Sequence, residues 1–289
     1  MSLEFCEKGR FVHVGGIKLY VYDSADYRSY ESPTTLVFLH GYPGQMGNWK
    51  YQVPFFEERY RVIAYDQRGF GRSDKPKVAN MEDFTGDLEA LLRELGVRDE
   101  DAVLVGHSFG GMVAQAYARD HRVMGLVLVG SLTRFRRDVD DYIISYLPAA
   151  FWKPLFFTMN PLTRQLYRKV YLSPESPFSV LEEFYEDNKD YLLELPASSY
   201  RYKKHMLDYD ATRWLSEVKS PALVIAGEHD YIAPVEEAEK IHSLLPNSRL
   251  VVIKRAGHLV LYEKYDELNK TILDFVQQLE RGAPVQAKA

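Results

Sequence analysis

The stretch AVLVGHSFGGMVAQAYA, residues 102–118, decides how this chain folds. It begins as an uninterrupted apolar run, reaches Gly-His-Ser-Phe-Gly-Gly, and continues with apolar residues at helical spacing. Gly106 and Gly110 flank Ser108 in the pattern G-x-S-x-G, where a side chain at either glycine would collide with neighbouring backbone across a sharp turn. The pattern predicts a strand, a tight turn and a helix, with the Ser108 hydroxyl held above a sheet and near the positive end of the helix.

Apolar runs of the same kind recur along the chain. Each is short, rich in Val, Ile and Leu, and nearly continuous, which is typical of parallel strands buried on both faces. Helical patterns lie between the runs, for example at 80–96 and 234–246, and residues 10–25 form a hairpin pattern around Gly15 and Gly16. We therefore predict an α/β fold with a mostly parallel, eight-stranded sheet flanked by helices. The further runs are TTLVFLHG (34–41), RVIAYD (61–66), GLVLVGS (125–131), PALVIAGEHD (221–230) and LVVIKRAGH (250–258).

Residues 132–212 break this alternation. They are helical in pattern, contain no run typical of a buried strand, and hold nine of the 21 tyrosines, six phenylalanines and Trp152. We predict a helical cap inserted here, after the sixth strand, with residues 1–131 and 213–282 forming the core domain. Most of these aromatic residues are expected to pack within the cap, and a few to face a pocket. Residues 283–289 are predicted to form a flexible tail.

Composition and charge narrow the class of protein. Of the 289 residues, 46% are hydrophobic, and the net charge of −5 argues against a nucleic-acid partner or a polybasic contact with a membrane. Cys6 is the single cysteine, so no internal disulfide forms, which favours a reducing, cytoplasmic location. We expect no signal peptide, and no run approaches the about 18 apolar residues of a membrane span.

The sequence also bears on cofactors and partners. It has no P-loop and no Cys/His ligand cluster, and Asp74 stands where the third glycine of a dinucleotide fingerprint would be. We therefore predict no cofactor and no metal. The expected partner is a small-molecule substrate, and the expected state is a monomer or homodimer.

The groups that would activate Ser108 follow two later strands. A serine hydroxyl becomes a nucleophile when a base takes its proton and an acid orients that base. Asp230 follows one buried run and His258 the next, and loops at the carboxyl ends of parallel strands converge at one edge of a sheet. We predict that Ser108, Asp230 and His258 form a catalytic triad there. Three aspartates that follow the sixth predicted strand, GLVLVGS, are an alternative source of the acid: Asp138, Asp140 and Asp141.

Together these pieces resemble the α/β-hydrolase fold family over nearly the whole chain. The matching stretches are HGYPG (40–44), DQRGFGRSDKP (66–76), GHSFGG (106–111), GEHD (227–230) and GH (257–258). In that family the residue after His-Gly and the residue after the nucleophile donate backbone N–H groups to the oxyanion. The resemblance thus implies an oxyanion hole made by Tyr42 and Phe109, where each such donor is worth roughly 3–4 kcal/mol.

Other polar residues near these motifs are assigned structural roles. The resemblance implies that His40 and His107 shape loops and that Asp66 organises a turn through hydrogen bonds. Glu263 is expected to cap or clamp the helix after the base, and His229 to point away from the neighbouring acid. The remaining histidines are expected at the surface or in packing: His13, His121, His205 and His242.

Several reactions are compatible with this resemblance. Epoxide hydrolases and haloalkane dehalogenases use an aspartate at the position of Ser108, and a serine cannot replace the carboxylate of that aspartate. Proline iminopeptidases have a serine, but usually with a Gly-Gly-Pro-Gly loop and a tryptophan after the serine, where this chain has Tyr42 and Phe109. An aminopeptidase also needs a carboxylate for the substrate's ammonium group. The run at 181–190 offers four: Glu182, Glu183, Glu186 and Asp187.

We predict a serine hydrolase that cleaves small or medium carboxylic esters through an acyl-enzyme intermediate. The aromatic cap favours an apolar acyl or alcohol group. The alternatives are an aminopeptidase of the proline iminopeptidase type and a carbon–carbon bond hydrolase. A ligand-binding receptor that keeps the scaffold without turnover is the alternative outside enzymes.

Overall fold

The computed structural model of the protein describes residues 3–135 and 139–282. Its eight strands form one sheet in the order β1-β2-β4-β3-β5-β6-β7-β8. Strands β3 to β8 pair in parallel, and β1 and β2 are antiparallel, which confirms the predicted sheet. The strands are β1 (Arg10–Val14), β2 (Ile17–Asp23), β3 (Thr35–Leu39), β4 (Arg61–Asp66), β5 (Ala102–His107), β6 (Gly125–Val129), β7 (Ala222–Gly227) and β8 (Ser248–Ile253).

Helices cover both faces of the sheet. Along β5, Leu104 packs in one apolar cluster with residues of the two helices that precede and follow that strand, whereas Val103 and Val105 pack in a second cluster with the last helix. Both faces of the central strands are therefore buried, which explains their continuous apolar sequences. The helices are α1 (Glu4–Glu7), α2 (Val53–Phe56), α3 (Met81–Glu94), α4 (Phe109–Asp120), α5 (Val139–Tyr146), α6 (Ala149–Phe156), α7 (Pro161–Tyr171), α8 (Ser179–Glu194), α9 (Val235–Leu244), α10 (Val260–Glu263) and α11 (Tyr265–Glu280).

The predicted hairpin joins β1 and β2. Val14 pairs with Ile17, and the two residues between them, Gly15 and Gly16, have φ angles of +52° and +85°. Two consecutive residues in this region require glycine or a similarly permissive residue, so the turn itself confirms the expectation.

Helices α5 to α8 lie between β6 and β7, where the sequence predicted a helical insertion. Within the described residues of this segment, an isolated bridge between Arg134 and Asp210 is the one element of β-structure. Aromatic rings pack inside the insertion: Trp152 is buried, and its ring centroid lies 5.1 Å from that of Tyr200. The predicted tail, 283–289, lies outside the described residues.

None of the helices in the described ranges combines the length and hydropathy that crossing a membrane demands. The carboxyl ends of β5, β6, β7 and β8 lie side by side at one edge of the sheet, because these four strands are parallel and adjacent. That edge carries the residues described next.

Candidate active site

Ser108 occupies the turn between β5 and α4. Its φ angle is +51°, a left-handed conformation that non-glycine residues seldom adopt. The turn is held by the neighbouring strand, since the Ser108 N–H donates to the Val129 carbonyl at 2.8 Å and the Ser131 hydroxyl donates to the Ser108 carbonyl at 3.1 Å. A strained serine fixed from two sides is the arrangement that the G-x-S-x-G pattern predicted.

The two glycines of that pattern are needed for space. A methyl group at Gly106 would overlap the backbone of Gly110, and one at Gly110 would overlap the carbonyl of Leu39 on β3. A side chain at either glycine would therefore collide with neighbouring backbone, as the G-x-S-x-G pattern predicted.

Asp230 and His258 form a buried hydrogen-bonded pair. His258 Nδ1 lies 2.8 Å from Asp230 Oδ2, and the two side chains are 6% and 1% exposed. The other carboxylate oxygen, Oδ1, accepts N–H groups from Ile232 at 2.9 Å and Ala233 at 2.8 Å. An ionised carboxylate only accepts hydrogen bonds, so Nδ1 carries the imidazole proton and Nε2 is the basic nitrogen.

A residue that the sequence analysis passed over lies behind this pair. Gly130 follows β6 with a φ of +53°, and a Cβ there would lie 3.1 Å from Asp230 Oδ2 and 3.4 Å from His258 Nδ1. Glycine thus leaves room for the acid–base pair. The sequence signal that could have identified Gly130 is its position directly after a buried strand, at the edge of the sheet where the triad was expected.

Two other histidines shape the surrounding loops, as predicted. His107 Nε2 donates to the His258 carbonyl at 2.9 Å, and His40 Nε2 accepts the Gln67 N–H at 3.0 Å. Burial lowers the pKa of His107 to about 3 and that of His40 to about 4, so both rings are neutral at pH 7. Neither ring competes with His258 as a base near neutral pH.

Asp66 and Glu263 hold backbone rather than substrate. Asp66 accepts the N–H groups of Met46 and Arg72, both at 2.8 Å, which is the turn-organising role expected of it. Glu263 was expected to cap or clamp the helix after the base, and this expectation was wrong, because its carboxylate binds other segments. Its Oε1 accepts the Gly257 N–H at 2.8 Å, and its Oε2 accepts groups from the connection between α7 and α8.

A cavity of about 130 Å³ opens over Ser108 and His258. Apolar and aromatic side chains supply most of its lining, and no carboxylate is among the described residues that line it. The polar side chains are Asn48, His107, Ser108 and His258. The aromatic and aliphatic ones are Tyr42, Pro43, Phe157, Met159, Tyr167, Tyr171, Leu181, Phe184, Tyr185, Leu192, Ile232, Leu259 and Leu261.

Tyr42 and Phe109 lie beside the serine. Tyr42 lines the cavity, and Phe109 is the first residue of α4, where N–H groups have no partner inside the helix. Their rings meet edge to face at 5.8 Å. The alternative acids are not placed: Asp138 and the side chains of Asp140 and Asp141 lie outside what the structure describes.

The comparisons with known proteins agree with this fold. The sequence model for the alpha/beta hydrolase fold matches residues 34–265. The chain is an α/β hydrolase. It is similar to proline iminopeptidases from Saccharolobus solfataricus (30% identity over 88% of both chains) and Thermoplasma volcanium (28% identity over 96% of this chain and 99% of the relative). Its fold is similar to that of a thermophilic esterase from Thermogutta terrifontis, with a TM-score of 0.76 and 28% identity over 94% of this chain and 98% of the other.

As a member of this family with esterase and peptidase relatives, the protein is a hydrolytic enzyme. In the described part of this hydrolase, no three His, Cys, Asp or Glu side chains gather as a metal site would require.

The four acids that an aminopeptidase might use form ion pairs within the chain. Glu183 and Asp187 contact Lys50 Nζ at 2.7 and 2.6 Å, away from the cavity lining. The other two form exposed pairs, Glu182 with Arg164 and Glu186 with Lys189, each at 2.6 Å.

Proposed function

We propose that this hydrolase is a serine esterase that cleaves small or medium carboxylic esters. Ser108 is the nucleophile, His258 the general base and Asp230 the acid that fixes the imidazole. The backbone N–H groups of Tyr42 and Phe109 are the oxyanion donors.

The reaction follows from these positions. Ser108 Oγ attacks the acyl carbon while its proton passes to His258 Nε2, and the ester oxygen receives that proton as the alcohol leaves. Water then attacks the acyl-enzyme and gives its proton to His258, and Ser108 regains a proton as the carboxylic acid departs. Asp230 stabilises the imidazolium in both halves and keeps Nε2 directed to the reacting atoms.

The observation that carries the ester assignment is the neutral, apolar lining of the cavity. A cavity near 150 Å³ holds a group of about benzene size, so the 130 Å³ space suits a small apolar acyl or alcohol group. An ammonium or carboxylate group there would lose its hydration without a described partner of opposite charge.

The aminopeptidase alternative is favoured by the two iminopeptidase relatives, yet it lacks a described carboxylate in the cavity. Glu183 and Asp187 already neutralise Lys50, so recruiting either for a substrate would break a partly buried ion pair. This is why we place the ester first.

Two p-nitroanilides and one ester separate the alternatives. We expect kcat/KM for p-nitrophenyl phenylacetate to exceed that for prolyl p-nitroanilide by at least about 1,000-fold. An ester is more reactive than an anilide toward a nucleophile, and the described cavity lining has no carboxylate to pair with the prolyl ammonium group. The amide control is phenylacetyl p-nitroanilide, which has the same leaving group without the charge. If the prolyl anilide is cleaved faster than both neutral compounds, the enzyme is an aminopeptidase.

The division into domains rests on the same proposal. We take residues 132–212 as a cap on a core of 1–131 and 213–282, supported by the aromatic residues that α7 and α8 contribute to the cavity. A cytoplasmic location and a monomeric or homodimeric state stay predictions from the sequence.

A further inference from the structure

The last residue of α7 and the connection that follows it contact the loops of the acid and the base directly. We name residues 171–176 the latch segment. Its Tyr171 carbonyl accepts the Leu259 N–H at 3.1 Å, and the Ser173 hydroxyl lies 2.8 Å from His229 Nδ1. Leu259 follows the base His258 in sequence, and His229 precedes the acid Asp230, so one cap segment holds a neighbour of each.

Glu263 joins the latch segment to the residue on the other side of the base. Its Oε2 accepts the Ser173 N–H at 2.8 Å and the Ser176 hydroxyl at 2.5 Å, while its Oε1 accepts the Gly257 N–H at 2.8 Å. Three donors and two oxygens fix the carboxylate between the cap and the base loop. Burial raises the pKa of Glu263, which agrees with its enclosed position.

The backbone of Gly257 lies against the latch segment without a side chain between them. A Cβ at Gly257 would come within 2.6 Å of the Tyr171 carbonyl oxygen and 2.7 Å of the Ser173 nitrogen. Together with the His107 bond to the His258 carbonyl, three consecutive residues of the base loop are held through their backbone atoms: 257, 258 and 259.

We infer that Glu263 is a positioning residue that sets the place of His258 by tying the base loop to the latch segment. The inference rests on the proposed function, since it takes His258 and Asp230 as base and acid. Glu263 does not touch the cavity, so it acts through the geometry of the pair. A displacement of about 1 Å in a catalytic group costs on the order of 100-fold in rate.

The test is Glu263→Gln, because the amide presents an NH₂ group to backbone donors that need an acceptor. We expect kcat for p-nitrophenyl phenylacetate to fall about 10- to 100-fold. KM should stay within about twofold, since Glu263 does not line the cavity. The matched control is Glu239→Gln, an exposed glutamate of α9, which should change neither constant.

A second readout does not depend on turnover. The proton on His258 Nδ1, shared with Asp230, is expected to give a far-downfield NMR signal, and the loss of that signal in Asp230→Asn would assign it. We expect this signal to shift or broaden in Glu263→Gln and to stay unchanged in Glu239→Gln. Ser176→Ala removes one donor to Glu263 and should have the same effects in weaker form, which keeps the test open if Glu263→Gln does not fold.

The outcomes separate this inference from the proposed function. An unchanged kcat and an unchanged His258 signal in folded Glu263→Gln would overturn the positioning role. A lower melting temperature with kcat and the signal intact would make Glu263 a residue of stability alone. If the parent protein hydrolyses no ester, the proposed function fails, and the NMR signal still decides whether Glu263 positions His258.

Discussion

Gly130 shows how a single hydrogen atom in place of a side chain leaves room for the proposed acid and base, Asp230 and His258. A Cβ at this position would lie 3.1 Å from Asp230 Oδ2, which is a tight contact, and 3.4 Å from His258 Nδ1, which is an ordinary one. We expect Gly130→Ala to lower kcat by up to about 10-fold, because the methyl group would shift Asp230 Oδ2 by a few tenths of an ångström, less than the roughly 1 Å that costs about 100-fold. In the Gly130→Ala variant, an alanine held at this positive φ would also destabilise the folded state by about 1 kcal/mol.

Gly96→Ala is the matched control for Gly130→Ala. Gly96 has a φ of +65°, and nothing lies within 4 Å of its hypothetical Cβ. It should therefore lose similar stability through strain, measured by urea unfolding, and keep the parent kcat. Equal kcat values for the two variants would show that the space behind the pair is not needed.

The residues of the turn that holds Ser108 could be predicted from the sequence, whereas the residues around that turn could not. Ser108, Gly106 and Gly110 lie within five positions, so their steric relation is local and visible in the pattern. Gly130 lies against Asp230 and His258, and Glu263 accepts hydrogen bonds from the latch segment, all of which are far away in the sequence. These roles therefore depend on where other loops arrive. No local pattern specifies such contacts.

At the level of elements, helix α8 is fixed to the core by a compact charged cluster. Lys50 Nζ contacts Glu183 and Asp187, and the Tyr262 hydroxyl donates to Asp187 at 3.1 Å. Partial burial would raise the pKa of Glu183, but hydrogen bonds from Lys50 and Tyr51 outweigh it and lower that pKa. The pair thus stabilises the fold at neutral pH, and this contribution is lost as the pH falls through the lowered pKa.

Lys50→Met tests that attachment. The Lys50 side chain is 6% exposed, and its loss would leave two neighbouring carboxylates without a cation, so we expect a cost of roughly 2–3 kcal/mol in urea unfolding. The control is Arg164→Met, which removes the exposed bond from α7 to Glu182 and should cost less than about 1 kcal/mol. Equal losses would mean that the Lys50 cluster does not anchor α8.

The strands were more predictable than the cap. Strands β3, β5, β6 and β7 are continuous, fully buried runs because both faces of the sheet are covered there, and this signal can be recognised without knowledge of the neighbouring strands. The sequence signals the helices of the insertion only through the absence of strand-like apolar runs and the presence of helical patterns. Their contacts with the core, such as the latch segment on Gly257, depend on the angle at which α7 meets α8, and the sequence does not encode that angle locally.

For the whole molecule, the order of the strands is what assembles the site. Ser108, Asp230 and His258 are far apart in the chain, but they follow β5, β7 and β8, whose carboxyl ends share one edge. The sequence was sufficient to predict this convergence, because parallel strands leave their following loops on the same side. The charge of the cavity lining could not be predicted from the sequence, because it depends on which side chains of the helices point into the cavity.

The central claim is that Ser108 is an activated nucleophile, and intact-mass analysis after exposure to a fluorophosphonate tests it most directly. The reagent phosphonylates a serine that a base activates and does not react with an ordinary hydroxyl. We predict one adduct on the parent protein and none on a folded Ser108→Ala variant. An unmodified parent, or an adduct that persists in Ser108→Ala, would contradict the account.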